Sequence, residues 1–315
     1  MFSPRSPRPV LTASAAALAL FLTGCAQSDG GGSDAEPGIG AVPTLLESRN
    51  LTLPMASYLP DNRQHAMLSE AQDVLVDQCM QRFGFRYQLR RKEPAVKRDN
   101  NRLYGLSDPA EAARYGYANP PEGQAQRPPQ QALGPNEQLV LHGLEVDPSL
   151  PVPMSQDEAE KSDVATTVVA GQKVPAGGCL RESALKLFSP TKDSVASTDV
   201  QGFGLDSYAR SQKDSRVVGA FKSWSECMGR HGYTDDSPMG QPPGIDSSGI
   251  SSPQAIAMAK QDVGCKRETN LVGIWYTVEV AYENRVIEQN AETLDRARKQ
   301  LDARLKLAAT LIAGT

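Results

Sequence analysis

The stretches Cys227-Met228-Gly229-Arg230-His231-Gly232-Tyr233 and Gly264-Cys265-Lys266-Arg267-Glu268-Thr269 repeat an earlier pair. The earlier pair is Cys79-Met80-Gln81-Arg82-Phe83-Gly84-Phe85 and Gly178-Cys179-Leu180-Arg181-Glu182-Ser183, in the same order. Two distinct signatures recurring in register mark an internal duplication. Of the five cysteines, the four that follow Cys25 allow three pairings when oxidised. One bridge per repeated unit is the simplest, joining Cys79 to Cys179 and Cys227 to Cys265. Loop entropy for spacings of 100 and 38 residues gives roughly 5 and 4 kcal/mol, comparable with the stability of a whole domain. The bridges are therefore read as structural. Four cysteines without a CxxC pair, in a chain with three histidines, argue against a zinc site.

The residues around the cysteines read as helices. Val217, Phe221, Trp224 and Met228 fall on one helical face. Gly232 supplies a left-handed stop with an aromatic after it, and Gly84-Phe85 repeats that stop behind Leu68, Ala71, Leu75 and Cys79. Ser252-Pro253 begins a further helix carrying Ile256, Ala259 and Val263, with Ser at the N-cap and Pro in the first turn. Asp108-Pro109 with Glu111 reads as a capping box opening a short helix that Gly116 ends. Residues 85–89 alternate like a short strand, and Gln138-Leu139-Val140-Leu141 suits strand or helix equally. No Pro interrupts 271–312. There Ile287, Ala291, Leu294, Arg298, Leu301, Leu305, Ala308 and Ile312 form a narrow seam. This long helix either pairs with a second copy or lies on its own domain, and the interrupted seam favours the second. The expected fold is mainly α: internally duplicated, disulfide-closed helical hairpins, a long C-terminal helix, few short strands and long loops.

The start of the chain sets the compartment. Arg5 and Arg8 precede an apolar run over 11–22 and then Leu22-Thr23-Gly24-Cys25. That is the layout of a secretory signal, too short to serve as a permanent membrane helix. It resembles the lipobox of bacterial lipoproteins, which implies a diacylglycerol on the Cys25 thiol and two acyl chains for stable anchoring. The Gly- and Ser-rich stretch that follows reads as a coil holding a domain off the bilayer. The expected divisions are a lipoprotein signal peptide (1–24), a tether (25–43), a first Cys-pair unit with a Pro/Gln-rich insert (44–205) and a second unit (206–315).

The chain has 33 basic and 37 acidic residues. Removing the leader with Arg5 and Arg8 leaves 31 against 37, a net charge of −6. A mildly acidic chain without a basic block gives no case for nucleic acid. His65, His142 and His231 show no HExxH spacing, and no GxSxG elbow, Walker loop or GxGxxG after a strand is present. Asp235-Asp236 lacks the regular acids of a calcium loop. Arg181-Glu182 and Arg267-Glu268 are expected to form ion pairs that fix helix docking. Glu279 and Glu283 are read as solvated charges on a helix surface. Tyr104, Tyr115 and Tyr117, near the Pro/Gln-rich loop, are candidates for a recognition surface. No catalytic residue, metal ligand or cofactor is assigned.

Residues 224–233, 262–272 and 275–294, with Tyr104-Gly105 and Tyr115-Gly116-Tyr117, resemble a family of uncharacterised secreted lipoproteins of high-GC Gram-positive bacteria. The resemblance implies an exported, lipid-anchored, disulfide-bonded, mainly helical protein, and carries no catalytic role. The expectation is a binding or scaffold module on the outer face of the cytoplasmic membrane, with the membrane itself and envelope proteins or the cell wall as partners. The alternative is a secreted hydrolase acting on wall or peptide substrates. A solute-binding lipoprotein would need an alternating β/α pattern that the chain lacks.

Overall fold

A computed structural model describes residues 35–87, 102–120, 133–143, 152–162, 164, 167–240 and 242–314. Cys25, the leader and most of the tether lie outside the described residues, as do the end of the 85–89 stretch and most of the Pro/Gln-rich insert. The protein is mainly helical. Among the described residues, no helix is long and apolar enough to cross a membrane.

Helix α1 (Asn62–Arg82) begins at Asp61, whose side chain accepts from the Gln64 N–H while the Gln64 side chain returns to the Asp61 N–H. It buries Leu68, Ala71, Val74, Val76, Cys79 and Met80. Helix α2 (Pro109–Tyr115) is capped by Asp108, which accepts from Ala110 and Glu111. Glu111 does not close the expected box; its carboxylate takes Arg49 at 3.1 Å. Helices α3 (Pro135–His142) and α4 (Gln156–Ala159) follow, so the ambiguous 138–141 stretch is helix. A two-residue-per-strand hairpin, β1 (Val168–Val169) with β2 (Gln172–Lys173), is the one sheet among the described residues. Helix α5 (Gly178–Phe188) carries Cys179.

The second half consists of α6 (Ser197–Ser211), α7 (Ser215–Arg230), α8 (Pro253–Glu268), α9 (Leu271–Gln289) and α10 (Ala291–Ala313). Asp214 caps α7, and the Ser252 hydroxyl accepts from the Ala255 N–H at 3.2 Å to open α8. The long C-terminal helix is two helices. At Asn290 the backbone leaves the helical region (φ −119°, ψ 24°), and both its N–H and its side-chain amide bond to the Val286 carbonyl. Asn competes well with helical hydrogen bonding, which explains a break without Pro or Gly.

The duplication is real in three dimensions. Cys79 bridges Cys179 and Cys227 bridges Cys265, each with Cα atoms 5.6 Å apart. Both first helices end alike. Gly84 (φ +80°) and Gly232 (φ +84°) are left-handed, and the next N–H reaches back five residues, Phe85 to Met80 and Tyr233 to Met228. A Cβ strains that left-handed backbone, so Gly is the residue that stops the helix here. The two units also interlock. α2 of the first lies on α8 of the second, and α10 lies along α1 and α5. Residue 205 falls inside α6, and residues 37–314 make one compact body.

The main core joins α7, α8 and α9 around Trp224 and Trp275. Trp275 is wholly buried, with the rings of Tyr104, Phe221 and Tyr208 at 4.9, 5.0 and 5.4 Å. A smaller core surrounds the first bridge, with Val76, Phe83, Val140 and Leu141. Ahead of α1, the chain from residue 37 to residue 60 runs as an arm over α9 and α10. Asn270, itself left-handed (φ +50°), accepts from the Leu45 N–H and donates to the Pro43 carbonyl. Arg267 meets Glu47, and the Tyr276 hydroxyl donates to the Thr52 carbonyl. Gly273 lies directly under the arm: a Cβ there would fall inside contact distance of the Pro43 carbonyl oxygen and the Asn270 amide. Gly273→Ala is therefore expected to lift the arm. Limited proteolysis should cut within residues 37–60 faster in the variant, while an unchanged cleavage rate would show that the arm accommodates the methyl.

Candidate functional site

The side chains that sequence singles out fall into three groups. The first braces the bridges. Arg82 meets Glu182 at 2.5 Å, and Arg230 meets Glu268; these residues hold the same places in the two repeats. Arg three residues after the first cysteine pairs with Glu three residues after the second. Burial alone would raise the Glu182 carboxyl, but Lys186 and Arg82 hold it below its ordinary range. Glu268 is mostly exposed, so screening weakens its pair. The companion arginines do something else. Arg181 donates to the Pro153 carbonyl, and Arg267 goes to Glu47 in the arm. Of the residues expected in docking ion pairs, Glu182 and Glu268 pair across the bridges with Arg82 and Arg230, Arg267 pairs with the arm, and Arg181 makes no ion pair among the described residues.

His231 caps α7, and its ring approaches the Cys227 and Cys265 sulfurs within 4.8 Å. Those sulfurs are bonded to one another, so they offer no thiolate to a cation. The four-residue spacing of Cys227 and His231 was visible in sequence; the approach of Cys265 was not.

The second group is a buried ionic knot beneath α2. Lys266 is wholly buried and its ammonium donates to Asp262 (3.1 Å), the Leu106 carbonyl (3.0 Å) and the Pro238 carbonyl (2.8 Å). Three donors meet three acceptors, which satisfies an ammonium. Asp262 also accepts from Trp224 Nε1 at 2.9 Å. Burial drives Asp262 up and Lys266 down, each towards its neutral form, and their contact opposes both shifts. Tyr117 sits beside this knot, with its hydroxyl pushed up by burial and by Asp262. The knot ties three distant stretches to α8: residues 102–107, 117–118 and 235–240.

The third group is a pair of buried carboxylates on α9. Glu279 and Glu283 are each 2% exposed. Tyr104 donates to Glu279 at 2.7 Å, and the Met55 N–H donates to Glu283 at 2.8 Å. These acids are inside, not on a solvated surface. On a helix that also buries Trp275, Val278, Tyr282 and Val286, their four-residue spacing places them on one inward row. Burial, with Glu283 nearby, raises the Glu279 carboxyl to about 7 despite the Tyr104 hydrogen bond. An acid raised in the folded state binds its proton more tightly there than when unfolded. Its contribution is therefore most favourable below about pH 4.5 and is lost as pH rises towards 7. Glu279→Gln is expected to remove this slope. In urea titrations the wild type should lose on the order of 3 kcal/mol relative to the variant between pH 4.5 and 7.5. Parallel curves across that range would contradict a buried, titrating Glu279.

The three tyrosines do not form one surface. Tyr104 is wholly buried between Trp275 and Glu279, because an aromatic body with a satisfied hydroxyl suits a core as well as a surface. Tyr117 is half-buried, and its backbone is fixed by Ile250 and Arg102. Tyr115 ends α2, partly exposed, with the Arg114 guanidinium 5.1 Å from its ring centre. No protein-family model matches the chain, and no curated protein or solved structure shows significant similarity to it.

Proposed function

We propose that the chain is an exported lipoprotein, held at the outer face of the cytoplasmic membrane by a diacylglycerol on Cys25, and that its helical body serves as a binding or scaffold module in the cell envelope. The observation that carries this reading is the pair of bridges, Cys79–Cys179 and Cys227–Cys265. Two buried disulfides in a duplicated scaffold suit an oxidising compartment, and reducing compartments seldom keep them. The leader residues before Cys25 supply a route to that compartment. The arm adds a mechanical argument. It begins where the Gly- and Ser-rich stretch ends, and it is fastened to α9 at Asn270, Tyr276 and Glu283. An anchor at Cys25 would then hold the body by its largest core.

Cell fractionation tests the reading. The wild-type protein is expected in the membrane fraction, released by detergent and not by salt. Cys25→Ser should leave that fraction. A Cys25→Ser protein that still needs detergent would overturn the anchor. Crosslinking on intact cells followed by recovery of the anchored protein would then identify what the module holds.

A further inference from the structure

A cavity of about 150 Å³ lies between α1, α10 and the start of α6. Its polar lining is His65, Ser69, Gln72, Ser197 and Arg304. Arg304 and Ser197, the first residue of α6, both line it. Arg304 is 8% exposed and forms no ion pair among the described residues. One of its terminal nitrogens donates to the carbonyls of Phe188 (2.9 Å) and Val195 (3.0 Å), while its Nε has no partner. A buried guanidinium without a carboxylate is costly, and it attracts an anion. The second feature is the N-terminus of α6, a helix of 15 residues whose N-cap is Ala196, with no side-chain cap. Its first N–H groups and dipole favour negative charge at Ser197.

We propose that this cavity binds a small oxyanion, a phosphate group, between Arg304 and the N-terminus of α6. His65 and Ser69 add donors from α1, and the apolar wall formed by Leu68 and Leu301 strengthens the charge-assisted hydrogen bonds by excluding water. The source of the phosphate is either the free ion or the headgroup of an anionic lipid, which is the nearest phosphate to a membrane-tethered body. Asp199, exposed in the first turn of α6, repels an anion and sets a limit on affinity.

The probe is inorganic phosphate, titrated calorimetrically into full-length Cys25→Ser protein with both disulfides formed, against sodium chloride of equal ionic strength. Saturable binding at one site per chain is expected. Arg304→Met should abolish it, but Arg304 also holds the Phe188 carbonyl at the end of α5, so this variant alone could fail through misfolding. Ser197→Asp avoids that difficulty. It supplies its own carboxylate to the helix end, so it should raise Tm slightly and weaken phosphate binding by at least about tenfold. Asp199→Asn should bind more tightly than the wild type. A parallel titration with phosphatidylglycerol vesicles identifies the source: binding to vesicles that Ser197→Asp removes assigns the lipid headgroup, and binding to phosphate alone assigns the free ion. No saturable phosphate or vesicle binding in the millimolar range, or binding that Ser197→Asp leaves intact, would overturn the site. Either result would leave the role of Cys25 untouched, because the anchor is read from fractionation and not from the cavity.

Discussion

Replacing Cys79 and Cys179 together by serine is expected to lower the unfolding free energy by about 5 kcal/mol in the loop-entropy account. The bridge closes 100 residues and joins α1 to α5. That span includes residues 88–101 and 121–132, which are rich in Pro, Gln and charge. Without the bridge, the unfolded chain regains the freedom of the whole loop. Replacing Cys227 and Cys265 should cost about 4 kcal/mol, since that loop closes 38 residues. The order of the two effects is the sharper test, because native packing opposes it. The second bridge lies in the larger core, beside Trp224 and Met228, where a void left by two thiols is harder to fill. Urea melts of both double variants under non-reducing conditions decide between entropy and packing. A larger loss for the second pair would mean that packing dominates. A loss below about 1 kcal/mol for both would mean that the bridges are not structural.

Lys266→Met is expected to destabilise the protein by about 3–5 kcal/mol, because it leaves Asp262 buried without its cation. The methionine roughly matches the lysine stem in volume, so the effect isolates charge from packing. Two stretches lose their tie as well, since the Leu106 and Pro238 carbonyls lose their donor. Adding Asp262→Asn should recover much of the loss. The amide stays neutral and still offers an oxygen to Trp224 Nε1, which Asp262 now serves. Recovery by the second substitution reports the uncompensated carboxylate, and the remainder reports the two carbonyls. Additive losses in the double variant would show that Asp262 is not strained by losing Lys266. The knot is also where α2 of the first unit meets α8 of the second, so hydrogen exchange in 103–107 should accelerate in Lys266→Met ahead of global unfolding.

Much of this fold could be read locally. Helix α7 follows from the spacing of Val217, Trp224 and Met228, and its end follows from Gly232, because both signals sit within a few residues of their effect. The pairing of cysteines followed from the duplication, which restricted three choices to one per unit. The seam of α10 holds at Leu294, Leu301 and Ala308, which are buried as expected. Between them the buried positions are Ala297 and Arg304, in place of Arg298 and Leu305. Each of these differs by one position, and the local pattern of Ala, Arg and Leu satisfies either. What decides between them is α1 and α5, both far away in sequence. Glu279 and Glu283 were misplaced for the same reason. Their buried partners are Tyr104 and Met55, 175 and 228 residues away. Nothing near a glutamate announces such a partner. The Asn290 break has no local signal of the usual kind, because neither Pro nor Gly marks it. The cavity beside Arg304 combines a helix end, a cation and a histidine from three separate segments.

The central claim is export with a fatty anchor at the leader junction. Metabolic labelling with radioactive palmitate tests it most directly, comparing cells that make the wild-type protein with cells that make Cys25→Ser. The account predicts label on the wild-type protein and none on the variant. A wild-type protein that takes up no label, or a variant that still does, would contradict it.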